Sequence, residues 1–114
     1  MGTNNYDNQK ARALLHSLGI QPYLRGYQTT LLALECIAEN PECVCAAWKE
    51  IYLPTAERLQ CEAATVEAAI RRASERAWKT HPALLNEISG EKLVRRPQVR
   101  IFLLTLYYAC CTEE

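Results

Sequence analysis

Apolar side chains recur at three- and four-residue intervals through most of the chain, and few stretches alternate as strands do, so the sequence predicts an all-α fold. Asp7 or Asn8 can cap a first helix with Ala11, Leu14, Leu15 and Leu18 on one face, and Gly19 supplies its left-handed stop. A second helix is predicted to open at Pro22 and to carry Leu24, Tyr27, Leu31, Leu34 and Ala38 inward, with Gly26 as its weak point. After the Asn40-Pro41 break, Cys43, Ala46, Ala47 and Ile51 form the inner stripe of a short third helix.

Pro54 starts a brief helical unit to Leu59, and the turn Gln60-Cys61-Glu62 leads into a long helix from about Ala63 to Lys79. There Val66, Ala69, Ile70, Ala73 and Ala77 make a narrow stripe of mostly small residues, which permits close helix approach. The opposite side carries Thr65, Ala68, Arg71, Arg72, Glu75 and Arg76, and this separation of faces is the most informative local feature of the chain. His81-Pro82 ends the helix. A weaker segment, Leu84 to Ile88, passes through Gly90 to the basic cluster Lys92, Arg95 and Arg96, and Pro97 is expected to open a final apolar helix.

Length fits one domain: 114 residues are too few for two cores, and enough to bury about 65% of the unfolded surface without staples. The expected architecture is about six helices containing a helix-turn-helix at about 54–79, with residues 11–111 as the helical domain, 1–10 as an extension and 112–114 as a tail. Thirteen basic and thirteen acidic side chains cancel, so any affinity for polyanions must come from a local patch. The longest apolar run, Ile101 to Cys111, is about half what a membrane-spanning helix needs, and no membrane partner is expected.

Six cysteines (Cys36, Cys43, Cys45, Cys61, Cys110, Cys111) lack the paired spacing of a zinc site. Asp7, Lys10, Arg12 and His16 interrupt any signal-peptide core, which points to a reducing cytoplasm with the cysteines as small apolar residues; no metal or other cofactor is expected. Phosphate-cradling glycine loops, the H-E-x-x-H motif and the G-x-S-x-G elbow are absent, and His16 and His81 sit on helices or at their ends, so an enzyme is not expected. Trp48 and Trp78 fit the rim of a core.

A short helix, a three-residue turn and a longer helix form the arrangement that places a second helix in the DNA major groove. The stretch from Leu15 to Tyr27, L-H-S-L-G-I-Q-P-Y-L-R-G-Y, resembles the opening of the C-terminal effector domain of the sporulation response regulator, the stage-zero sporulation protein A family. Ile51 to Leu59, then Val66 to Ala73, then Ala77-Trp78, are similar to that family's helix-turn-helix, with Arg96-Pro97 aligning near the end. Together these cover about residues 11 to 111. The resemblance implies a transcription regulator that binds double-stranded promoter DNA, with a homodimer and RNA polymerase contact as further partners.

The departures bear on specificity. Where the family has Ser-Arg before the valine, this chain has Ala64-Thr65; where an arginine follows the glutamate it has Ala68; and Arg72 stands where the family tends to have histidine. Two base-reading arginines are gone, each worth about 1–3 kcal/mol of discrimination. The receiver domain that ordinarily precedes this module is not in the 114 residues, so aspartyl-phosphate control is not assigned. The DNA-binding candidates are Ala64, Thr65, Glu67, Ala68, Arg71 and Arg72 on the second helix, with Arg95 and Arg96 beyond it. Glu67 suits a cytosine amino group, and the arginines suit phosphate or a base edge.

Residues 48–80 hold six basic and five acidic side chains, thin for a DNA surface, so Lys92, Arg95, Arg96 and Arg100, in residues 91–100 with four basic and one acidic side chain, would have to supply much of the phosphate contact. Glu67 with Arg71 is an attractive i,i+4 pair and Arg72 with Arg76 a repulsive one, as on a solvated helix face. The alternative is a diverged helical module for protein contacts that has lost specific DNA binding.

Overall fold

In a computed structural model, the described residues are 6–90 and 92–111, without the side chains of Cys43 and Val44. They form six α-helices and no strand, an all-α bundle. Asp7 starts the first, α1 (Asn8–Ser17), by accepting hydrogen bonds from the Gln9 and Lys10 amides through its carboxylate, which satisfies two otherwise orphaned donors. Gly19, at φ +88°, stops it. The Ile20 amide donates to the Leu15 carbonyl and the Gly19 amide to that of His16, the bond pair of a Schellman motif. A side chain at 19 would strike Thr80 Cγ2 at 2.9 Å, so glycine is required on two counts.

The second helix, α2 (Arg25–Glu39), begins three residues later than the Pro22 opening predicts. Pro22 and Tyr23 lie in a turn closed by the Leu24 amide on the Gln21 carbonyl at 2.9 Å, and Leu24 is extended at φ −83°, ψ 141°. That turn lets the fully buried Ile20 enter the core before the helix starts. Leu31 and Leu34 face inward as expected, while Leu24, Tyr27 and Ala38 are half-buried.

The predicted third helix is corrected. Pro41–Ala46 is a 3₁₀ segment and Trp48–Tyr52 a π turn, running into α3 (Leu53–Leu59). Ile51 is buried, but Ala46 is exposed and Ala47 half-buried, and the Cys43 side chain lies outside the described residues. Pro54 gives the reason: it has no amide to donate and its ring crowds the carbonyl four residues back. The Leu53 amide instead reaches the Trp48 carbonyl, five residues back, and this wider turn makes room.

The long helix α4 (Ala63–Thr80) buries Val66, Ala69, Ile70, Ala73 and Ala77, all five residues of the predicted stripe, together with Ser74. Its most extensive helix neighbour is α2. The small stripe is what allows the approach, since a Cβ at Gly26 would sit 3.1 Å from both the Ala69 carbonyl oxygen and Ala73 Cβ. The next helix, α5 (Pro82–Ser89), ends at Gly90 with φ +78°. The last, α6 (Val99–Ala109), starts after Gln98 rather than at Pro97, because Gln98 is extended at φ −63°, ψ 155°; the Pro97 carbonyl accepts a hydrogen bond from Ser74 Oγ at 3.4 Å. Phe102, Leu103 and Leu106 of α6 complete a core with Leu15, Leu34, Ile37, Ile51 and Ile70.

The chain's two ends meet. Tyr6 and Cys111 form an isolated antiparallel bridge, the Asp7 amide donates to the Cys110 carbonyl at 2.9 Å, and the Tyr6 ring stacks on Tyr107 at 5.8 Å. Burial, with Cys111 alongside, pushes the Cys110 thiol up to about 11, which makes it a poor nucleophile. No helix of the described residues is long and apolar enough to cross a membrane.

Candidate nucleic-acid interface

The two helices of the motif are α3 and α4, joined by Gln60-Cys61-Glu62. Gln60 adopts the left-handed conformation at φ 56°, ψ 50°, a geometry usually left to glycine. The Cys61 amide bonds the Ala56 carbonyl at 3.0 Å and the Gln60 amide that of Glu57 at 3.3 Å, so the turn is a Schellman motif built without glycine. Thr55 and Ala56 are buried on α3, as are Val66, Ile70 and Ser74 on α4, which fixes the outward side of α4 relative to α3.

That outward side carries the predicted site. Ala64 and Arg72 are exposed; Thr65, Glu67, Ala68 and Arg71 are half-buried. The side divides into two flanks. On one, Glu67, Arg71 and Glu75 follow one another at four-residue spacing, and Arg71 is ion-paired to Glu67. Glu75 lies 3.9 Å from Arg96, whose loop is held against α4 by Ser74 on the Pro97 carbonyl and against α5 by the Leu93 amide on Asn86 Oδ1 at 2.8 Å. Much of the positive charge there is matched by carboxylate.

On the other flank Arg72, Arg76 and Lys79 share a face with Thr65. Among the described residues no carboxylate lies within ion-pair distance of Arg72, Arg76 or Lys79, nor of Arg25 at the start of α2. Arg76 Nε donates to the Gly19 carbonyl at 2.6 Å, so this side chain also pins the α1–α2 turn to α4. Arg95 is exposed and Arg96 half-buried, on the loop beside the paired flank.

Three features escaped the sequence. Arg25 joins the open flank through the α2–α4 packing, and its only sequence signal was the Arg-Gly step at the α2 start. Arg58, counted with the basic residues of the motif, is occupied by Glu39 at 3.2 Å and Glu35 at 3.9 Å on α2. Ser74 secures the basic loop from a position that reads as plain helix interior. Among the described residues no three His, Cys, Asp or Glu side chains gather as a metal site would require.

The fold is an all-α bundle in which a short helix, a three-residue turn and a longer helix with an exposed side follow one another. A family model described as "Sporulation initiation factor Spo0A C terminal" matches residues 11–108. The chain belongs to that family, whose members are DNA-binding effector domains of transcription regulators acting in sporulation.

Proposed function

We propose that this protein is a sequence-reading DNA-binding regulator of transcription in the cytoplasm, acting through the helical domain of residues 11–111. In this reading α4 enters the major groove with Ala64, Thr65, Glu67 and Ala68 toward the bases, Arg71 and Arg72 within reach of a base edge or a phosphate, and Lys92, Arg95, Arg96 and Arg100 along the backbone. The observation that carries it is Arg72: exposed, without a carboxylate partner among the described residues, and on the outward side of the second helix of the motif. An arginine in that state can grip guanine or phosphate with two parallel hydrogen bonds. A second copy docked through the exposed Ile101 and Tyr108, seven residues apart on α6, and contact with RNA polymerase complete the proposal.

Fluorescence anisotropy against a promoter library tests it. With about four phosphate contacts, log affinity should fall against log salt with a slope of roughly −3 to −4, and some duplexes should bind well above the rest. A flat salt response without preferred sequence overturns it. The ion pairs Glu67–Arg71 and Glu75–Arg96 favour a second reading, a helical module for protein contacts. A stable partner complex surviving Arg71→Ala with Arg72→Ala, and no DNA binding at low salt, would select that one.

A further inference from the structure

Between the turn ahead of α2 and the middle of α4 lies a recess of about 240 Å³. Ile20, Leu24, Ala69 and Ala73 form its apolar floor, and Arg25, Arg72 and Arg76 its rim. Its origin is the tight α2–α4 approach: Gly26 and the two alanines bring the backbones together, while the long arginine stems rise on either side and leave space between them.

The rim is unbalanced in charge. The molecule is neutral, with thirteen basic and thirteen acidic side chains, yet among the described residues none of these three guanidinium groups has a carboxylate partner. Arg76 spends its Nε on the Gly19 carbonyl and keeps its terminal nitrogens. Like charges gathered over an apolar floor repel more strongly than in open water, and an anion placed among them relieves that repulsion.

We propose that this recess binds a compact organic anion: a carboxylate or phosphate head held by Arg25 and Arg72, on a small apolar body resting against Leu24, Ala69 and Ala73. A recess of about 240 Å³ suits a single substituted ring or a short acyl chain, with the charged head standing out at the arginine rim. Because Arg72 is also the residue on which the DNA-binding reading rests, an occupied recess competes with duplex DNA; this regulatory consequence depends on that reading, and the anion site does not.

The intact chain, labelled with ¹⁵N, is titrated with phenyl phosphate, benzoate, dimethyl phosphate as a stand-in for the DNA backbone, and benzyl alcohol. Phenyl phosphate or benzoate should saturate with Kd below about 1 mM, shifting amides around Leu24 to Gly26 and Ala69 to Ala73. Dimethyl phosphate, which lacks the apolar body, and benzyl alcohol, which lacks the charge, should bind at least about tenfold more weakly. Arg25→Gln with Arg72→Gln should weaken phenyl phosphate at least about tenfold with the core amide spectrum retained; Arg25→Gln alone, at an exposed helix start, serves if the double variant loses its fold. Lack of saturation by about 10 mM, shifts centred elsewhere, or dimethyl phosphate binding as well as phenyl phosphate overturns the site. Displacement of bound DNA by phenyl phosphate supports the competition. Saturation by the anion without DNA binding at low salt keeps the site and removes the regulator, whereas DNA binding with no anion saturation does the reverse.

Discussion

The two flanks of α4 are built from similar residues and end in opposite electrostatic states. On one, Glu67 and Glu75 occupy Arg71 and Arg96; on the other, Arg72 and Arg76 are exposed and, among the described residues, have no carboxylate within ion-pair distance. Both stand on the same buried stripe, so the difference is not one of folding. It teaches that formal charge is a poor guide to a binding surface: a neutral chain still presents a cationic edge when its carboxylates are committed elsewhere. Exposed ion pairs are worth little in stability, about 0–1 kcal/mol each, but they remove an arginine from service toward an anion.

The strongest way to break the comparison is to remove its shared foundation. Ile70 is fully buried beneath both flanks, and Ile70→Ala should cost about 2–5 kcal/mol of folding stability, read as a lowered denaturant midpoint, with loss of both edges together. A cost below about 1 kcal/mol would mean that α4 is not seated on this core.

The flanks separate at the next level. Arg72→Ala should weaken binding to a preferred duplex by about 1–3 kcal/mol, whereas Arg71→Ala, which removes a guanidinium already engaged by Glu67, should cost less than about 1 kcal/mol. Equal losses in anisotropy titrations would show that Arg71 leaves its partner on binding. Glu67→Gln sharpens the same point from the other side. Freeing Arg71 should raise affinity for arbitrary duplex roughly two- to fivefold at low salt and steepen the log-log salt slope by about 0.9, one further phosphate contact. An unchanged slope would mean that Arg71 faces away from the backbone.

Much of this was legible in the sequence because it follows from local periodicity. The Asp7 cap, the Gly19 stop and the α4 stripe are set by residues a few positions apart, and the Glu67–Arg71 pair is an i,i+4 contact on one helix. What escaped depends on elements distant in the chain or on a backbone bond that changes register. The π turn at Trp48–Tyr52 arises because Pro54 lacks an amide, a consequence that apolar periodicity does not carry. The pairing of Arg96 with Glu75, the capture of Arg58 by α2, the bond from Arg76 to Gly19 and the approach of Arg25 to α4 all span long separations. Charge counting over residues 48–80 therefore included Arg58, which serves the scaffold, and omitted Arg25, which lines the open edge.

The smallest expected effect lies in the turn that orients both flanks alike. Gln60 holds a left-handed backbone that costs a residue with a side chain about 1–2 kcal/mol, while glycine there gives back about 0.5–1 kcal/mol through the greater freedom of its unfolded state. Gln60→Gly should therefore raise stability by about 0.5 kcal/mol in urea unfolding and leave DNA affinity unchanged, because the Schellman bonds from Cys61 to Ala56 and from Gln60 to Glu57 involve only backbone atoms. Gln60→Val, with a branched side chain ill suited to positive φ, should lower stability instead. A glycine variant less stable than the parent would mean that the Gln60 side chain itself holds the turn, and the angle between α3 and α4 would then rest on that side chain rather than on the backbone alone.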